Sequence, residues 1–150
     1  MTTANGIELI EGYLQSRQVR YFRGHHEDES FFLVSAYHGR LHVHLRPSGP
    51  GGAAVQISIT ADRYYPAVRR ARVAAMVEQW TSSDRRLAAT VFESSDPSLV
   101  GVLAGCRYRA GAGDFGSFVD QAVQSAIDLF GRLRVLAASP SADTDLLDAG

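Results

Sequence analysis

At 150 residues, with 45% apolar side chains, one Trp, seven Phe and six Tyr, the chain has the length and bulk for one hydrophobic core. A formal charge of −1, from fifteen arginines, no lysine and sixteen carboxylates, provides no clustered positive field for nucleic acid or an anionic membrane. The lone cysteine, Cys106, excludes an internal disulfide and fits a reducing cytoplasm, no apolar run approaches the ~20 residues that span a bilayer, and Met1-Thr2-Thr3-Ala4-Asn5 does not open a signal peptide.

In chain order, Thr3 or Asn5 caps a first helix over about residues 4 to 17, with Ile7, Ile10 and Leu14 at i, i+3 and i+7 on one face. Val19 to Gly24 reads as a brief strand, and His25-His26-Glu27-Asp28-Glu29-Ser30 as a polar loop. The stretch Phe31 to Arg46 carries a hairpin. With His38-Gly39 as its two-residue turn, Tyr37 faces Arg40, Ser35 faces His42, Leu33 faces His44 and Phe32 faces Leu45. Phe32, Val34, Ala36, Leu41, Val43 and Leu45 then share a dry face, and Ser35, Tyr37, Arg40, His42 and His44 a wet one. A one-residue slip would mix the two sets. Pro47 to Gly52 breaks the strand, after which Val55, Ile57 and Ile59 alternate with Gln56, Ser58 and Thr60.

Asp62 as a cap and Pro66 in the first turn open a second helix, with a core stripe of Val73, Met76, Val77 and Trp80, and Arg69, Arg70 and Arg72 mainly off it. Thr81-Ser82-Ser83-Asp84 ends it, and Leu87 to Glu93 returns as a strand. Asp96-Pro97-Ser98 is a turn, and Val100, Val102, Ala104, Cys106 and Tyr108 share one face of the next strand. Past the joint Gly111-Ala112-Gly113, Asp114 caps a third helix running to about Ala137, with Phe115, Phe118, Ala122, Ala126, Leu129 and Leu133 as its apolar stripe. Residues 138 to 150 hold Pro140 and three aspartates but little bulk, and read as a disordered acidic tail after a single domain of residues 1 to 137.

No concentrated set of catalytic groups stands in this chain. His42 and His44 alternate on one strand face about 7 Å apart, a metal-ligand spacing, with His38 or Glu27 and Asp28 as sources of a third ligand. The ordinary alternative is a pair of solvent-facing histidines on an open sheet. Ser35 opposite His42 has neither a glycine-flanked elbow nor an acid to orient the imidazole. Cys106, between Ala104 and Tyr108 on an apolar face, reads as a buried inert thiol. Gly111-Ala112-Gly113-Asp114 lacks the lysine of a phosphate loop. Arg107 and Arg109 share a strand face, with Arg85 and Arg86 near the start of the paired strand, a patch able to meet an acidic peptide. No cofactor is expected.

The order helix, meander, helix, two strands, helix resembles the YbjN family, in an actinobacterial-type member, whose fold is similar to that of type III secretion chaperones. Ile10-Glu11-Gly12-Tyr13-Leu14, Arg70 to Trp80, the strand pair 87 to 109 and Phe115 to Leu133 carry the match, over about residues 7 to 134. The resemblance implies an α+β fold, an antiparallel sheet packed by helices in the order α-β-β-β(-β)-α-β-β-α. It also implies a non-enzymatic chaperone-like or regulatory protein that binds a protein partner, as a homodimer; the charge balance and the lack of a long apolar run, read above, argue against a nucleic-acid or membrane partner. The stripe of residues 115 to 133 is a candidate for part of the dimer interface.

Overall fold

The computed structural model describes residues 6–18, 20–23, 29–36, 39–81, 87–109, 111 and 113–136. Helix α1, Gly6–Ser16, buries Ile10, Tyr13 and Leu14 and leaves Ile7 half-buried. Its start is pressed against the turn after the third strand. A Cβ on Gly6 would lie 3.0 Å from the carbonyl oxygens of Gly52 and Ala54 and from Pro47 Cβ. The caps expected at Thr3 and Asn5 lie outside the described residues.

Strands β1 (Tyr21–Arg23), β2 (Ser30–Ala36), β3 (Gly39–Ser48) and β4 (Ala54–Ala61) form an antiparallel meander. The chain continues through β5 (Tyr65–Pro66), helix α2 (Arg70–Thr81), β6 (Ala88–Glu93), β7 (Leu99–Arg109) and helix α3 (Phe115–Leu133). All seven strands join one sheet. β7 pairs with β4 and β5 along one side and with β6 along the other, so β1 and β6 are its two edges.

The hairpin register departs from the expectation by two residues. Phe32 pairs with Val43, Leu33 with His42, Ser35 with Arg40 and Ala36 with Gly39, which leaves residues 37 and 38 as the connection. Gly39 keeps a positive φ of 142°, open to glycine, but as the first residue of β3 rather than in the turn. A shift of two keeps every side chain on its expected face, so period-two patterning cannot tell the two registers apart.

Leu41, Val43 and Leu45 from β3, Val55, Ile57 and Ile59 from β4, and Val100, Val102 and Ala104 from β7 are buried on one face. All three helices pack there. α3 contributes most, burying Phe115, Phe118, Val119, Ala122, Val123, Ala126, Leu129, Phe130 and Leu133. At about 1.5–3 kcal/mol for each fully buried large aliphatic or aromatic side chain, this helix is a principal source of cohesion. The stripe expected to reach a second copy is thus covered by the protomer's own sheet.

Helix α2 begins later than its sequence signals. Tyr65 is buried and pairs with Val100, Pro66 sits in the same short strand, and a 3₁₀ turn at Ala67–Arg69 leads into Arg70. Asp62 therefore does not cap the helix. Pro66 biases Tyr65 toward extended backbone, and burial of the tyrosine ring makes that conformation favourable. Val73, Val77 and Trp80 are buried as expected, with Met76 half-buried.

Two carboxylates on α3 tie the helices together. Trp80 Nε1 donates to Asp128 Oδ2 at 2.9 Å, and Arg132 Nε reaches the same oxygen at 3.1 Å. Tyr13 Oη donates to Asp120 Oδ1 at 2.9 Å, and Arg17 Nη2 approaches Asp120 Oδ2 at 2.6 Å. Burial, then the Asp120 hydrogen bond, push the Tyr13 phenol well above its ordinary value. Asp114 caps α3 as expected, accepting from the Ser117 N–H at 2.9 Å, a bond that lowers its carboxyl below the usual range.

Candidate functional site: the open face of the sheet

With every helix on one side, the other face of the sheet has no helix over it among the described residues. Which side chains stand there follows from alternation and from the observed register. Arg46 pairs with Gln56 and Gln56 with Arg107, so the three form one row across β3, β4 and β7. Neighbouring strands lie about 4.8 Å apart, placing the two arginine backbones on the order of 10 Å from each other. Arg109, two residues beyond Arg107, opposes Ala54. Arg46, Arg107 and Arg109 are exposed, and none of their guanidinium groups makes a hydrogen bond or ion pair among the described residues. Guanidinium groups left without carboxylates on a chain of net charge −1 form a local positive patch.

The next row is Phe22, Phe31, His44, Ser58, Gly105 and Ala88, and the one beyond it Leu33, His42, Thr60, Leu103 and Thr90. Phe22, 47% exposed, stacks on Phe31 at a centroid distance of 5.4 Å. Phe92 lies over the bare backbone of Gly101, with Tyr64 edge-on at 6.3 Å. The face therefore joins an arginine row to a floor where His42, His44, Leu33 and Leu103 stand among small residues, with apolar rings toward both edges.

The expected site residues sort clearly. Arg107 and Arg109 are on this face and open to solvent. Arg85, Arg86, His38, Glu27 and Asp28 lie outside the described residues. His42 and His44 do share the face, but their neighbours differ from the expectation: His42 sits between Leu33 and Thr60, and His44 between Phe31 and Ser58. Ser35 opposes Arg40, so the Ser35–His42 pair does not form. Glu29 Oε2 approaches His44 Nε2 at 3.6 Å. No group of three metal-ligating side chains converges among the described residues. Cys106 is half-buried on the core side, packed against the hydrophobic cluster.

Arg46 was the residue missed. Its signal was present, because it continues the wet alternation His42, His44 along β3, but its meeting with Arg107 requires β4 to lie between β3 and β7.

A family model described as YbjN, "putative bacterial sensory transduction regulator", matches residues 6–134. Among solved structures, the chain is similar to YbjN from E. coli, titled "a putative transcription regulator", at a TM-score of 0.67 and 13% identity. That match covers 92% of this chain and 99% of the other. An uncharacterized protein from Methanothermobacter thermautotrophicus matches at a TM-score of 0.54 and 10% identity, over 87% of this chain and 97% of its own. No curated protein matches the sequence.

Proposed function

This chain belongs to the YbjN family, and on that premise we propose that it is a non-enzymatic regulatory module that acts in the cytoplasm by binding another protein. The observation that carries the reading is the uncovered sheet face with Arg46, Arg107 and Arg109, whose charges lack partners among the described residues. An acidic segment would neutralise them, and guanidinium forks bind carboxylates bidentately. The family description as a regulator supports binding over chemistry. A chaperone role toward a client is the variant of this reading that the secretion-chaperone resemblance suggests.

Affinity capture from native lysate tests it, comparing wild type with the Arg107→Glu/Arg109→Glu variant. A stoichiometric protein is expected on wild type, released by salt and lost from the variant. The same protein retained at full yield on the folded variant would refute the site. We further propose a homodimer, which must use a surface other than the apolar stripe of α3; a monomeric mass by light scattering at micromolar concentration would remove it.

A further inference from the structure

A concavity runs along the outer edge of the sheet, where α2 lies beside β6. Ala74, Val77, Glu78 and Thr81 on the helix face Ala89, Thr90 and Val91 on the strand across a cleft of about 410 Å³. The Ala89 N–H turns away from β7, toward Thr81 Oγ1 at 3.4 Å. Backbone groups alternate in direction along a strand, so the N–H groups of Val91 and Glu93 point the same way. Among the described residues β6 pairs with β7 alone. Unpaired main-chain donors and acceptors therefore border a cleft floored by methyl groups, which is the arrangement that takes up an added strand.

The charge at the rim narrows the occupant. Glu78 is exposed, and its carboxylate makes no hydrogen bond or ion pair among the described residues. Glu93, its side chain 84% exposed, meets Arg70 only at 3.9 Å. Among the described residues, Glu78 is the one charged side chain lining the cleft, above an apolar floor, and Glu93 beyond its end faces Arg70. A long aliphatic cation complements carboxylate and floor, its stem lying on Ala74, Val77 and Ala89 and its charge at Glu78.

We propose that β6 and α2 form a strand-addition site for an extended segment of a partner protein, in which apolar residues and one central lysine or arginine alternate along the side facing the cleft. The proposal rests on the protein-binding reading but uses a different surface from the arginine face. Main-chain pairing supplies affinity, and the cleft selects side chains at alternate positions.

The probe is an end-blocked peptide, Thr-Val-Thr-Lys-Thr-Val-Thr, titrated into nitrogen-15-labelled protein. Saturable binding is expected, with shifts and exchange protection at the Val91 and Glu93 amides. Ala74→Phe, on the exposed side of α2, fills the cleft and weakens binding by about tenfold or more. Glu78→Gln weakens it less, and the difference shrinks in high salt. N-methylation of alternate peptide amides abolishes binding. Arg107→Glu/Arg109→Glu leaves it unchanged. No saturation up to about 1 mM, or binding indifferent to both Ala74→Phe and N-methylation, overturns the proposal. So does a dimer that Ala74→Phe converts to monomer, since the edge then belongs to a second copy. Failure of the peptide alongside partner capture through the arginine face sinks the edge site alone, and the converse result sinks the arginine reading alone.

Discussion

Introducing a methyl group at Gly101 is expected to destabilise the protein only while Phe92 covers that position. Gly101 pairs with Phe92 across β7 and β6, and the phenyl ring occupies the space where a side chain would stand. A Cβ there would clash with ring Cζ, and with Cε1 and Cε2 at 2.8 Å, so the ring must shift. Two opposing terms set the outcome. Alanine in a strand interior is favoured over glycine by about 0.5–1 kcal/mol through chain entropy. Against this, overpacking costs about 1–3 kcal/mol, and swinging the ring out loses its edge-on contact with Tyr64, about 0.5–1.5 kcal/mol. Gly101→Ala should therefore destabilise by about 0.5–4 kcal/mol in the presence of Phe92. In a Phe92→Ala background the clash is absent, and the same substitution should be neutral or mildly stabilising. Urea unfolding followed by the fluorescence of the single tryptophan, Trp80, gives all four corners of the cycle. Additivity of the two substitutions within about 0.5 kcal/mol would refute the reasoning, because contacting residues must couple.

Asp128→Ala removes the acceptor of the Trp80 indole N–H and of Arg132. With Trp80 buried, a loss of about 1–2 kcal/mol is expected in thermal or urea melts, and Arg132→Ala alone should cost much less. Burial pushes the Tyr65 phenol up to about 12. The stability this contributes is complete below pH 10 and declines as pH rises from 10 toward 12, because the unfolded chain ionises first. Tyr65→Phe should flatten that alkaline limb in a pH series of unfolding curves. Asp114 behaves oppositely: its carboxyl is held low by the Ser117 backbone N–H, so its contribution is full above about pH 4 and is lost as pH falls through the depressed folded value. Asp114→Ala should lessen the acid dependence of stability and fray the start of α3, as read by amide exchange at Ser117. Protein purified without a histidine tag should carry no stoichiometric metal, and His42→Ala should leave its metal content unchanged. Stoichiometric metal lost in that variant would return the histidine pair to the front.

Periodicity alone was enough to place the dry and wet faces of β2, β3, β4 and β7, the stripe of α3 and the cap at Asp114, because each of these depends on residues close in sequence. The family was legible through resemblance, in the stretches Ile10 to Leu14, Arg70 to Trp80, 87 to 109 and Phe115 to Leu133, and the family model matches residues 6–134. Three things needed the folded chain. The hairpin register differs by two residues, a shift invisible to a period of two, and with it the Ser35–His42 opposition disappears. The start of α2 is delayed by the burial of Tyr65 against β7, a long-range contact that outweighs the local helix signals at Asp62 and Pro66. The arginine row needs Arg46 and Arg107, sixty-one positions apart, to be brought into one row on either side of Gln56 by the insertion of β4 between β3 and β7. Local alternation tells a residue which way to point. Only strand order and register, set by burial of the whole core, decide which residues it meets.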